Sequence, residues 1–299
     1  MRTIGNKSFV TKSLLYWYRS NARPLPWRKT RNPYRILISE IMLQQTQVSR
    51  VLQMYPKFLK RFPNFQILAS ARTGDVIRAW AGMGYNNRAI HLHQAANRVI
   101  QEYAGRLPAD IDLLRQLPGI GRYTAHAIAC FSFGQHTAVV DTNVRRILGR
   151  LFPGSARTLD EWELAESVLP KRKAYDWNQA LMELGSMYCT ASNPDCAGCP
   201  LNRYCPSAFQ IHSTTPKVKI KKKDRVQIPN RIYRGRVVAL IRTFSRHQQI
   251  ESYRLLKMLR PGAAKRNQKW FSLILTGLQR DGLIQIQMQR MKTYVSLPQ

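Results

Sequence analysis

Acidic residues are scarce in this chain: 16 Asp and Glu stand against 48 Lys and Arg, a formal net charge of +32. Such an excess points to a polyanionic partner, because each phosphate neutralised by a cation releases counterions. A basic surface kept only for solubility is the plainer reading, but a field this one-sided costs self-repulsion. Long hydrophobic runs are missing as well. No apolar stretch approaches the about 20 residues of a spanning helix, and the opening MRTIGNKSFV lacks the apolar centre of a signal peptide. A membrane partner is set aside, and the expected compartment is the cytoplasm, or the nucleoid in a bacterium. Cysteine is sparse: five residues, four of them close together late in the chain. An odd, clustered set argues against a disulfide framework and for metal ligation. Alternating β-branched runs are rare before residue 213, which argues against a βαβ sheet.

What is present reads as mainly helical. Leu14, Leu15 and Tyr18 fall on one helical face, and Ala89, Leu92 and Ala96 on a weaker one. Turn residues punctuate the pattern at Pro63-Asn64, Gly82 to Gly84, Pro118-Gly119 and Asn193-Pro194. At 299 residues the chain is long enough for two domains. Residues 213–230 carry five lysines between 217 and 223 and little to bury, so they read as a basic linker, either following phosphates or simply solvated. Beyond it, Val237, Leu240, Ile241 and Phe244 predict one helix. Tyr253, Leu255, Leu256 and Met258 predict a second. A third holds Phe271, Ile274, Leu275 and Leu278 and ends at Asp281-Gly282. Ile284, Ile286 and Met288 then alternate as in a strand, with Tyr294 to Leu297 as a partner. Three helices and a hairpin make a winged-helix pattern, whose third helix can enter a major groove. The alternative is a small helical cap without DNA contact.

Cys189, Cys196, Cys199 and Cys205 have the spacing C-x6-C-x2-C-x5-C. Four thiolates on one short loop suit a 4Fe–4S cluster. A structural zinc site competes, although it normally uses two short Cys pairs where this loop has one. Cys130 lies in an apolar run and reads as a small buried hydrophobe. Leu117-Pro118-Gly119-Ile120-Gly121-Arg122 reads as a tight turn between helices, with glycines allowing close approach. The helix opening at Tyr123 would aim backbone N–H groups at a phosphate irrespective of sequence.

Two acids stand in unusual places. Glu40 sits within Ile36, Leu37, Ile38, Ile41, Met42 and Leu43, a helix apolar nearly all round. A buried carboxylate is costly unless it is paired or takes up a proton. Asp141 follows an apolar segment and precedes Asn143, where it is a catalytic carboxylate or merely a helix cap. Cleaving a nucleoside bond needs two carboxyl roles, one protonating the leaving base and one stabilising the sugar cation, as in glycoside hydrolysis.

Over residues 10–210 the chain resembles the helix-hairpin-helix superfamily of DNA glycosylases, and within it the MutY-type adenine glycosylases. The matching stretches are Leu25-Pro26-Trp27-Arg28, the run from Ser39 through Gln44-Gln45-Thr46, Gly82-Met83-Gly84-Tyr85, the hairpin, Val140-Asp141-Thr142-Asn143-Val144, and the eight residues ending Glu183-Leu184-Gly185. QQT is the most specific. The hairpin and cysteines alone would fit endonuclease III equally. The resemblance implies a mainly α, two-lobed fold with a cluster loop: residues 1–25 with 130–212 as one lobe and 26–129 as the barrel lobe; residues 231–299 are the winged-helix-like module read above from periodicity.

By the same resemblance Glu40 is the general acid and Asp141 the stabiliser of the sugar cation. Tyr123 stands where bifunctional relatives carry a lysine, so no Schiff base forms and an abasic site is left. Arg23, Arg28 and Glu183 would line the adenine pocket, and Gln45 and Tyr85 would wedge into the stack. Thr46 and Met83 would sit beside the opposite base, Asn143 would hold a flanking phosphate, and Gly119 and Gly121 would serve the hairpin's grip. The resemblance further implies a 4Fe–4S cofactor, mismatched double-stranded DNA as partner with the base flipped out, no membrane, and a monomer. Three departures stand out: Asn86 where many members have a second aromatic, Thr142 where they have glycine, and a C-terminal region too short for the Nudix-like domain that reads 8-oxoguanine. Adenine opposite guanine or 8-oxoguanine is the implied substrate. A thymine/uracil mismatch glycosylase or endonuclease III-like enzyme of the same fold is the alternative, and QQT argues against it. A winged-helix DNA-binding regulator is the non-enzymatic reading, and the joint presence of Glu40 and Asp141 argues against that.

Overall fold

The computed structural model describes residues 7–210 and 228–299. Most of the basic linker predicted at 213–230 lies outside the described residues. In chain order the helices are α1 (Lys7–Asn21), α2 (Pro33–Leu43), α3 (Val48–Arg61), α4 (Phe65–Ala69), α5 (Thr73–Ala79), α6 (Asn87–Tyr103) and α7 (Ile111–Gln116). They continue as α8 (Arg122–Phe131), α9 (Thr142–Leu151), α10 (Glu161–Val168), α11 (Ala174–Met187), α12 (Asn230–Ile241), α13 (Ser252–Leu259) and α14 (Gln268–Arg280). The strands are β1 (Ile250–Glu251), β2 (Gln285–Gln289) and β3 (Lys292–Ser296). The chain is thus mainly α, and among the described residues its strands are confined to the C-terminal region.

The chain forms two compact units. One comprises residues 1–37, 108–116 and 120–220; the other 38–107, 117–119 and 221–299. The expected lobes divided at 25/26 and 129/130 instead. Sequence punctuation marks turns, whereas units follow shared cores, and α2 passes from one unit into the other without a turn.

In the first unit α1 packs on α11, and α11 packs on α9. α1 buries Val10, Leu14, Trp17 and Tyr18. Leu15, assigned to that face from periodicity, is only half-buried, and Trp17 takes its place. α7 and α8 form the hairpin. Asp160 opens α10 with a capping box, accepting from the backbone N–H of Glu163 while the Glu163 side chain accepts from its own N–H.

In the second unit α4 and α5 pack on α6. α6 buries Ala89, Leu92 and Ala96 as read from the sequence, and Ile90, Ala95 and Val99 besides. Its small alanines allow close helix contact on more than one side, which periodicity reads as weakness. The C-terminal elements run helix, strand, helix, helix, hairpin, with an antiparallel sheet in the order β1-β3-β2. Ile286 pairs with Val295 and Gln287 with Tyr294. This is a winged-helix-like arrangement, with β1 too short to have been read from sequence. It is not a separate body: Ile77 of α5 and Ile90 of α6 share one apolar core with Val237, Ile241, Leu278 and Val295. The Gly74 N–H donates to the Pro298 carbonyl at 3.0 Å. A Cβ at Gly74 would lie 2.5 Å from that oxygen, so the approach requires glycine.

Candidate active site and iron–sulfur loop

α2 buries Ile36, Leu37, Ile38, Ile41 and Met42 at 3% exposure or less, and Glu40 among them at 5%. The predicted burial of this carboxyl group is therefore present. The helix ends in the Gln44-Gln45-Thr46 loop, whose Gln45 has φ 53°; Tyr85, at the second loop, has φ 43°. Both are non-glycine residues in the left-handed region, which costs roughly 1–3 kcal/mol each and persists only where the surroundings enforce it. Arg88 enforces it. Its Nη1 donates to the carbonyls of Ile41, Met42 and Gln44 at 2.8, 2.9 and 2.6 Å. Its Nη2 donates to Thr46 Oγ1 at 2.9 Å and to the carbonyls of Met83 and Gly84 at 3.0 and 3.3 Å. One guanidinium thus ties both loops together. Burial lowers the pKa of Arg88 to about 10, which still leaves it charged at neutral pH. Gln45 is exposed, Tyr85 is 64% exposed and Met83 is buried. Sequence reading missed Arg88, because an arginine early in a helix ordinarily reads as surface; its only signal was position, just past two unusual loops.

The hairpin turn has Gly119 at φ 78°, and a Cβ there would come within 2.8 Å of His91 Cβ. Glycine is required on both counts. The Gln44 side chain reaches the Gly119 carbonyl at 3.4 Å. Gly121 caps α8 in extended conformation without a side-chain bond to the helix start, the open geometry in which helical N–H groups meet an anion. Tyr123 lies in the first turn of α8 and is half-buried.

In the first unit, Asp141 caps α9. Its Oδ1 accepts from the Val144 N–H at 2.7 Å and its Oδ2 from Asn143 Nδ2 at 3.0 Å. The helix-cap reading of Asp141 is therefore what these bonds show. The strand-like approach to it is pinned by Asn178, which accepts from the Val139 N–H at 3.0 Å and donates to the Thr137 carbonyl at 3.0 Å. Asn143, expected at a phosphate, also accepts from Arg146 Nη2 at 2.6 Å. Arg146 donates in turn to the Cys189 and Gly185 carbonyls at 2.7 and 3.1 Å. One helical turn on, Arg150 donates to Cys189 Sγ at 3.1 Å and the Thr190 carbonyl at 2.7 Å. The Asp141 cap and the cysteine loop are thus fixed to one face of α9.

Arg23, Arg28 and Glu183 meet as the sequence reading grouped them. Arg23 Nε lies 2.6 Å from Glu183 Oε1, and Arg28 Nη2 lies 2.7 Å from Oε2. Arg28 Nε also donates to Gln179 Oε1 at 2.9 Å. Burial alone would raise the Glu183 pKa, but hydrogen bonds from Arg23 and Arg28, with the Arg28 charge, carry it down to about 2.

Cys189, Cys196, Cys199 and Cys205 line one small cavity. Burial, with the neighbouring thiols adding to it, pushes Cys199 up to about 11 and raises Cys205. Among the described residues no group of three or more His, Cys, Asp or Glu is spaced for a single metal ion. Cys130 is apart from them, buried, with its thiol pushed up to about 11 by that burial.

Comparison with known proteins follows the same lines. The family described as the HhH-GPD superfamily of base excision DNA repair proteins matches residues 38–170. The iron–sulfur binding domain of endonuclease III matches residues 189–205. The chain is 42% identical over 206 residues to an adenine DNA glycosylase of Mycobacterium tuberculosis (66% of this chain, 67% of that one). It is 40% identical over 238 residues to one of Mycolicibacterium smegmatis (77% and 79%). The chain belongs to the HhH-GPD superfamily of base excision DNA repair proteins. Its substrate is DNA, and Cys189, Cys196, Cys199 and Cys205 hold a 4Fe–4S cluster. A solved structure titled as a thermostable thymine-DNA glycosylase superposes with TM-score 0.65 at 33% identity, covering 69% of this chain and 97% of that one. Among the described residues no helix is long and apolar enough to cross a membrane.

Proposed function

We propose that the protein is a monofunctional adenine DNA glycosylase, hydrolysing the N-glycosidic bond of adenine mispaired with guanine or 8-oxoguanine. The observation that carries this reading is a carboxylic acid, Glu40, 5% exposed on the helix that ends in the Gln44-Gln45-Thr46 loop. An acid kept from water is suited to hold a proton and deliver it to a ring nitrogen of the extruded base. As the C1′–N bond breaks, its electron pair leaves with the protonated adenine and positive charge develops on the sugar. Asp141, both of whose oxygens are already oriented by donors, stabilises that charge, and water adds to C1′, its proton passing to the Glu40 carboxylate left by the first step. Tyr123 cannot form a Schiff base, so the product is an abasic site with an intact backbone.

Arg23, Arg28 and Glu183 form the wall that receives adenine. Gln45 and Tyr85 enter the stack, and Thr46 and Met83 stand beside the opposite base. Asn143 orients Asp141 and faces the flanking phosphate, and Gly119 and Gly121 open the hairpin to the backbone. The cluster supplies a rigid loop that holds α9; its ligands are the four cysteines named above. The enzyme acts as a monomer on mismatched duplex, in the compartment that holds the genome. The lobes read from the sequence, 1–25 with 130–212 and 26–129, are proposed as working parts, with 231–299 as an accessory module.

Relatives named adenine DNA glycosylase support the choice of base. The likeness to a thymine-DNA glycosylase keeps T:G and U:G duplexes as the competing substrates. Excision from A:G, A:8-oxoguanine, T:G and U:G duplexes, read with and without alkali, tests the reading. Adenine release, with strand scission only after alkali, is expected; release of thymine or uracil in its place would overturn it.

A further inference from the structure

Four arginines of the C-terminal elements lie on a different surface from the one a winged helix ordinarily offers to DNA. A groove of about 960 Å³ lies within the second unit, with Gln44, Gln45 and Tyr85 on one side and α12 with the end of α14 on the other. Arg231, Arg234, Arg236 and Arg280 line it, and Asp281, its one acid, is ion-paired to Arg234. Arg231, Arg236 and Arg280 are exposed. Between them the floor is apolar, from Ile232, Ala239, Leu278 and Leu283. The outward face of α14 differs: Ser272, Leu273 and Thr276 are exposed with Lys269, and Leu273 is 70% exposed. From α14 itself this face carries one lysine beside a bare leucine, with Lys292 of β3 on the same surface, fewer cations than the groove presents.

The groove is also preformed. Arg242 Nη2 donates to Asn86 Oδ1 at 2.7 Å, and Arg78 Nη2 to the Phe244 carbonyl at 3.1 Å. Arg246 pairs with Asp75 at 3.3 Å. These bonds, with the shared core, fix α12 opposite the two strained loops, so little ordering entropy is lost when a ligand enters.

We propose that this groove binds a strand of the duplex beside the lesion, with its phosphates on Arg231, Arg236 and Arg280 and a base against the exposed Tyr85 ring. Arginines give the positive rim that a phosphodiester backbone needs, and the apolar floor with one exposed aromatic suits the flat face of a base. The proposal rests on the chain acting on DNA and on Tyr85 lying at the lesion. It is independent of which base is excised.

The test uses the full-length, cluster-loaded protein and a labelled duplex carrying a tetrahydrofuran abasic analogue, with affinity measured by anisotropy across a salt series. The triple variant R231A/R236A/R280A is expected to bind about tenfold or more weakly, with a salt slope smaller by about 2 to 3, near one unit per lost phosphate contact. The variant K269A/S272A/T276A should match the wild type in both. An unchanged slope in the groove variant, an equal loss in the α14 variant, or competition by poly-glutamate as effective as by unlabelled duplex would each overturn the proposal. Should the alanine set unfold, R231Q/R236Q/R280Q gives the same reading with the stems retained. Adenine failing as substrate while the slope still falls would leave this inference standing and remove only the proposed activity.

Discussion

Two loop systems in this molecule are held by arginines, one by Arg88 alone and the other by Arg146 with Arg150, and they are held in different ways. Arg88 donates to five backbone carbonyls and to Thr46 Oγ1, all within one unit, and so fixes the loops of Gln45 and Tyr85 by their main chain. Arg146 instead joins a side chain, Asn143, to the carbonyl of a cluster ligand, Cys189. The first anchor depends only on folding. The second also depends on the loop that carries the four cysteine ligands. Strain can be stored at the first site because its restraint is always present; orientation at the second would follow the state of the cysteine loop.

The largest expected effect lies in the groups these anchors present. Glu40→Gln and Asp141→Asn should each lower single-turnover excision by about 10²–10⁴-fold, while duplex affinity changes little. An equal loss of binding would mean that the residue is structural. Next comes Arg88→Met, which leaves buried carbonyls without donors. It should lower stability by about 3–4 kcal/mol, measured by urea unfolding, with the loss the same in cluster-loaded and cluster-free protein. Glu183→Gln should cost about 3 kcal/mol at neutral pH, because Arg23 and Arg28 lose a buried partner.

That Glu183 contribution has a sign in pH. The folded pKa is depressed to about 2 from an ordinary 4.5, so the stabilisation is complete above 4.5 and is lost as pH falls toward 2. The gap between wild type and variant should narrow across that window in acid unfolding; a gap that widened would contradict the ion-pair account. The smallest effect is expected at Arg146→Ala, about 1–2 kcal/mol with a reduced excision rate. If the two anchors differ as described, this rate effect should largely vanish in a Cys199→Ser background, where the loop is already released, whereas the Arg88→Met effect should persist. Additive losses for Arg146 and Cys199 would erase the distinction.

The candidate site residues stood out in the sequence because each breaks a local rule. Glu40 is a charge in an apolar helix, Gly119 a glycine that a turn requires, and the four cysteines a spacing with one short pair. The helical character and the C-terminal helix–hairpin order were readable from periodicity. Arg88 and Arg146 were not, because an arginine in a helix breaks no rule; only the carbonyls around it, brought from distant segments, reveal its work. The unit boundaries were hidden for a related reason. Ile77 and Ile90 join the core of residues 237–297 across more than 140 positions of sequence, and no local pattern records such a contact. β1 is two residues long and exists only because β3 offers it an edge.

Single-turnover excision from an A:G duplex, comparing wild type with Glu40→Gln and splitting each reaction into alkali-treated and untreated halves, bears most directly on the central claim. The account predicts adenine release by the wild type, strand breaks only in the alkali half, and loss of release in the variant. Breaks without alkali, or undiminished release by the Glu40→Gln protein, would contradict it.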